Sequence, residues 1–255
     1  RAEPALVLNV PDAPARIQAK GLPFIEFSSN ADEAESLDAL LASLGFTHSA
    51  DHVTLDLALW AQGDIRILVN RETKGYASSA FTLHGTNVCD IGIAVEDAQA
   101  AAARAKFLGA DLFQQAIDPK QLKIPAIHSQ SSGILHYIDD KNGLSDVWDV
   151  EFTARAKPAP GAGLTGVDHI GHTMNYEDML SWSLFFTTLF DMKKSAMVDV
   201  VDPEGLVRSQ ALESSDGNLR ITLNGAETHK TMAGSFLAES SNASVQHIAF
   251  ATDDI

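Results

Sequence analysis

The sequence has a single cysteine, Cys89, so no disulfide can form within the chain. That scarcity fits a reducing cytoplasm, where thiols stay unpaired. Basic residues are also few: 18 Lys and Arg stand against 34 Asp and Glu, for a formal net charge of -16. A field of that sign repels phosphate backbones and anionic lipid, so neither nucleic acid nor membrane is expected as a partner. No apolar run approaches the roughly 20 residues that a membrane-spanning helix needs. The start lacks the basic-then-apolar pattern of a secretory leader. Neither a glycine-rich phosphate loop after a strand nor a Gly-x-Ser-x-Gly elbow is present. What remains is ordinary for a folded protein: 45% hydrophobic residues in 255, enough for one large domain or two of common size.

The chain does contain a long-period repeat. Gly21-Leu22-Pro23-Phe24-Ile25-Glu26-Phe27 aligns with Gly166-Val167-Asp168-His169-Ile170-Gly171-His172. A helical stretch follows each, Ala31–Leu44 in the first copy and Tyr176–Leu189 in the second. Val88–Asp97 then aligns with Val245–Asp254. The period exceeds a hundred residues, which indicates a duplicated architecture and not a solenoid.

Within each copy the pattern reads strand, helix, three strands. In the first copy Leu22–Ser28 is a strand, and Ala31–Leu44 a helix with acidic residues at its positive end. Strands follow at Phe46–Ala50, Val53–Trp60 and Ile65–Val69. The next unit is strand Val88–Glu96, helix Asp97–Leu108 and strands near Ile124–His128, Ile134–Ile138 and Ser145–Phe152. The fold class is therefore α+β, built of duplicated βαβββ modules. Residues 1–20 read as a proline-bearing linker from a preceding domain, 21–157 as the first pair of modules, 158–163 as a linker, and 164–255 as the second copy. Arg1 stands where a complete protein has Met, and the second copy is expected to be incomplete at its C-terminus.

The repeat gives two histidines a chemical meaning. His169 aligns with Phe24, and His247 with Asp90. Each lies in a short apolar strand, where an imidazole needs a polar partner, either a hydrogen-bonding group or a metal. Equivalent strand positions on one curved sheet can share a concavity, which makes His169 and His247 candidate metal ligands in the second copy, with the first copy metal-free. A facial site of two histidines and a carboxylate leaves three positions for substrate and O2. By the repeat, the carboxylate matches the Trp148 region and is expected beyond residue 255. His172 and Asp168 alternate away from that face, and His172 is expected at the surface or in support of the ligands. His128 and His136 are expected as a hydrogen-bonded core pair, Glu26 in a salt bridge or facing the first concavity, and Cys89 in the core.

These residues resemble a known family. The two-copy layout, Gly166-Val167-Asp168-His169-Ile170, Arg208-Ser209, Leu223-Asn224 and Val245–Asp254 are similar to 4-hydroxyphenylpyruvate dioxygenase, of the vicinal oxygen chelate or glyoxalase-like superfamily. Trp60-x-Gln62-Gly63-Asp64-Ile65 and Met197–Gln210 resemble, more narrowly, bacterial proteins that fuse a TIM barrel to a dioxygenase-like half. Several of those are 3-dehydroshikimate dehydratases of quinate and shikimate breakdown, lyases that make protocatechuate. The resemblance implies a divalent metal at His169 and His247, Fe(II) in a dioxygenase, with Mg, Mn or Co left open for a fusion protein. It implies substrate contacts from Ser209, Asn224 and Gln246, a small acid or keto acid as ligand, and an N-terminal TIM barrel as partner; a homo-oligomer stays open. Met232 stands where the dioxygenase has glutamine, and loss of that amide argues against 4-hydroxyphenylpyruvate as substrate. A genuine dioxygenase forming homogentisate and a non-catalytic structural or sensory module are the alternatives.

Overall fold

The computed structural model describes residues 12–130, 133–159, 161–241 and 243–254. The first copy begins with β1 (Ala19–Ser28), α1 (Ala31–Ser43), β2 (Thr47–His52), β3 (Leu57–Gln62) and β4 (Ile65–Asn70). Asn30 caps α1, its side chain accepting from the Glu33 amide at 2.7 Å, with Asp32 and Glu33 in the first turn. Then come α2 (Gly75–His84), β5 (Asn87–Val95), α3 (Ala98–Phe107), β6 (Leu112–Phe113), β7 (Ala126–His128) and β8 (Ile134–Ile138). A 3₁₀ turn leads into α4 (Val147–Val150) and β9 (Phe152–Ala154). In each unit the first strand runs parallel to the last, β1 beside β4 and β5 beside β8, and antiparallel β1–β5 pairing joins the units. The result is a nine-stranded sheet in the order β6-β7-β8-β5-β1-β4-β3-β2-β9.

The second copy repeats this plan with β10 (Leu164–Asn175), α5 (Met179–Leu189), β11 (Met192–Lys194), β12 (Val198–Asp202), β13 (Gly205–Ser214) and β14 (Arg220–Ala226). After α6 (Met232–Glu239), β15 (Ser244–Thr252) pairs antiparallel with β10, as β5 does with β1. The six-stranded sheet runs β11-β13-β14-β10-β15, with β12 on β13. Among the described residues β15 pairs only with β10. The two copies share one apolar core: Tyr137 meets Phe190, Phe46 meets Phe250, and Arg104 on α3 donates to the Thr188 and Leu189 carbonyls at the end of α5.

Residues 1–11 of the expected linker lie outside the described residues, whereas Ile17 is buried and bridges Phe190. Two other expectations differ from the structure. Ser145–Phe152 is not the last strand of its unit. Leu144, Val147, Trp148 and Glu151 recur at the i, i+3, i+4, i+7 spacing of a helix, and all four turn inward. Gly143 in the left-handed region starts that helical turn. The missing strand is β6, on the other side of β7. α2 replaces what read as a connection, its buried face made only of Ala77 and Ala80.

Candidate metal centre

β10 and β15 each carry a bulge where they meet. Val167 faces Phe250 and His169 faces Ala249, which leaves Asp168 as an extra residue on β10. Gly171 faces His247 and His172 faces Val245, which leaves Gln246 as an extra residue on β15. A bulge re-aims neighbouring side chains, so strict alternation of faces fails at both points. The two histidines come together: Nε2 of His169 lies 3.2 Å from Nε2 of His247, the rings near perpendicular at 89°. The His247 ring covers Gly171, where an added Cβ would meet it at 2.1 Å. Glycine is required there by close approach, not by backbone conformation.

Behind His169 stands a polar chain. His169 Nδ1 donates to Asp168 at 2.6 Å, and Asp168 accepts from Arg220 at 2.9 Å. Arg220 also donates to Glu213 at 2.9 Å. The bond from His169, reinforced by the Arg220 charge, holds the Asp168 carboxyl below its ordinary range. A carboxylate on Nδ1 fixes the tautomer and turns the Nε2 lone pair outward. Burial, then repulsion from His169, lowers the pKa of His247 and keeps its imidazole neutral. Asp168 was expected to face away; the bulge brings it onto its neighbour instead.

The other expected site residues lie along the same face. Thr173, Asn224 and Ser209 are cross-strand partners on β10, β14 and β13. Ser209 Oγ donates to Asn224 Oδ1 at 2.9 Å, and Thr173 Oγ1 donates to Gln246 Oε1 at 2.7 Å. This band sits two residues along β10 from the Gly171–His247 crossing. Asp168 is a contributor that alternation alone could not identify, whereas Thr173 lies two residues beyond Gly171, where alternation places it on the same face.

His172 is neither at the surface nor behind a ligand. It is 2% exposed, packed between Trp182 and Phe186, with no hydrogen-bond partner on either ring nitrogen among the described residues. Burial pushes its imidazole pKa down to about 3. His136 pairs with Asp90 at 2.6 Å and not with His128, which packs edge-on against Tyr76 and Phe113. Glu26 faces the first concavity, bonded to Asn70 at 2.8 Å, and Cys89 is core. Met232 is 77% exposed on α6.

The donors suit a metal ion. Two nitrogens held by one ion at bonds of about 2.1 Å are separated by about 3.0 to 3.4 Å for angles between octahedral and tetrahedral. The observed 3.2 Å falls inside that range. Among the described residues, no third His, Cys, Asp or Glu completes such a group.

Residues 13–153 match the family model described as hydroxyphenylpyruvate dioxygenase, HPPD, N-terminal, which is of glyoxalase type. The chain is 31% identical to the 3-dehydroshikimate dehydratase of Pseudomonas putida, over 99% of its own length and 39% of that protein. It is 32% identical to the 4-hydroxyphenylpyruvate dioxygenase of a Pseudomonas species, over 92% of its length and 66% of the relative's. A solved structure of a xylose isomerase-like TIM barrel/4-hydroxyphenylpyruvate dioxygenase fusion protein superposes with a TM-score of 0.80 at 31% identity, over all of this chain and 39% of that one. The chain thus spans about two fifths of the dehydratase's length. The duplicated α+β architecture is the glyoxalase-like, vicinal oxygen chelate type.

Proposed function

We propose that this chain, which belongs to the hydroxyphenylpyruvate dioxygenase family, is the metal-binding region of a bifunctional 3-dehydroshikimate dehydratase-type protein and binds a small carboxylic or keto acid. The observation that carries this reading is the His169–His247 pair, two outward Nε2 atoms 3.2 Å apart with a carboxylate behind one. A divalent metal there would supply Lewis acidity and, as iron, reactivity toward O2. The chain's own residues do the positioning. Asp168 fixes the imidazole, Arg220 keeps Asp168 charged, and Gly171 leaves room for the His247 ring. Asn224 and Gln246 have their oxygens engaged by Ser209 and Thr173, which turns their amide nitrogens toward an acid's oxygens. A metal held by His169 and His247 would take an acid's oxygens as further ligands.

The wider protein carries a TIM barrel ahead of this region, works in the cytoplasm, and serves quinate and shikimate catabolism to protocatechuate. A second reading is favoured by the 32% identity to a 4-hydroxyphenylpyruvate dioxygenase: an Fe(II) enzyme forming homogentisate. The test is metal content and affinity of the full-length protein beside a His169→Ala, His247→Ala double variant. Stoichiometric metal, lost in the variant, supports the site. No metal in either protein, or equal metal in both, overturns it. Homogentisate formation from 4-hydroxyphenylpyruvate decides for the second reading.

A further inference from the structure

The first copy carries its own concavity, and it is not solid. A cavity of about 660 Å³ lies against β1, β5 and β8, within the size range of small-molecule sites. Its polar floor is Glu26, Asp90 and His136. Asp90 spends one oxygen on His136 at 2.6 Å; its other oxygen, Oδ1, has no hydrogen-bond partner among the described residues and is closed off from solvent, so a ligand reaches it only if a neighbouring side chain gives way. A buried carboxylate oxygen left open is costly unless a donor arrives. Glu26 faces Asp90 across the strands. Burial, then repulsion from Asp90, raises its pKa to about 7, so the two carboxyl groups do not both hold a full charge at neutral pH unless a cation joins them. The walls are aromatic, with Phe24 edge-on to Trp148 at 6.0 Å and Phe113 near His136.

We infer that the first copy is a second small-molecule site, whose buried, unpartnered Asp90 oxygen and neighbouring Glu26 take a protonated amine while the aromatic walls hold an apolar body. The alternatives fit less well. No three metal-ligating side chains come together among the described residues, and the two nearest, Asp90 and His136, bind each other. The lining also holds Lys123 and the paired His52 and Glu151; beside Glu26 and Asp90 themselves, an acid would bring a further carboxylate to a buried pair that already repels. A cation supplies the missing charge, gains from the aromatic faces, and is drawn in by a chain of net charge -16. The inference does not depend on the metal proposal, because its residues lie in the other copy.

The test compares three molecules of one skeleton: 2-phenylethylamine, 2-phenylethanol and phenylacetate, titrated calorimetrically into the whole chain at neutral pH. The expected result is one site, with the amine bound at least tenfold more tightly than the alcohol and phenylacetate weakest. Asp90→Asn weakens the amine at least tenfold, and His169→Ala leaves it unchanged. Hydrogen exchange on the unmodified protein guards against a misfolded variant: the amine protects β5 and β8 and not β10 and β15. The inference is overturned if the amine fails to bind, if phenylacetate protects β5 and β8 as strongly as the amine does, or if the amine's protection falls on β10 and β15.

Discussion

The two copies set different chemistry on one backbone crossing. In the first, Glu26 faces Asp90 across β1 and β5; in the second, Gly171 faces His247 across β10 and β15. The bulges recur as well, since Cys89 is the extra residue before Asp90 just as Gln246 is before His247. Phe24 occupies the place of His169, and its ring lies over Gly92. The backbone therefore does not choose the function. One glycine does much of the choosing: with Gly171 the imidazole of His247 lies flat on the strand and meets His169, whereas Glu26 fills the same place with a carboxylate. One copy is left with two facing imidazole nitrogens and the other with two crowded carboxyl groups.

The contrast has consequences that can be measured, the largest in acid. The unfolded chain protonates His172 near pH 6.5, while the folded chain resists until about pH 3. Stability should fall as pH drops through that window, by up to about 5 kcal/mol from this group. His172→Phe should flatten the acid limb in urea denaturation. Glu26 acts with the opposite sign. It ionises near pH 4.5 when unfolded and near 7 when folded, so stability should fall as pH rises between the two. The size is roughly 3 kcal/mol, and Glu26→Gln should remove it in the same denaturation series.

Gly171→Ala sharpens the contrast at its hinge. The three atoms nearest the added Cβ all belong to the His247 ring, whose exposed side chain can swing into solvent. Metal affinity should fall by more than about 100-fold, beyond the loss of a supporting group, with little change in melting temperature. Asp168→Asn should weaken the metal by about 10- to 100-fold, read by competition with a chelator. The smallest effect belongs to Ser209→Ala: losing one hydrogen bond to Asn224 should weaken acid binding by about 1 kcal/mol, measured by calorimetry on metal-loaded protein.

The repeat was legible because strand and helix alternate twice with the same residues at the crossings, and the alignment of His169 with Phe24 and of His247 with Asp90 agrees with the strand register. Asp168 was missed because alternation has a period of two and a bulge breaks it. His172 was misplaced because Trp182 and Phe186, which enclose it, arrive from a helix that strand parity says nothing about. Ser145–Phe152 read as a strand because the helix within it, Val147–Val150, is one short turn. The Glu26–Asp90–His136 floor stayed hidden because loss of histidine looked like loss of a site.

Paramagnetic NMR after loading with Co(II) addresses the difference between the copies most directly. We expect broadening centred on His169, Gly171 and His247, with the amides of Phe24, Glu26 and Asp90 sharp. Broadening centred on Glu26, Asp90 and His136, or none at any amide, would contradict the assignment of the metal to the second copy.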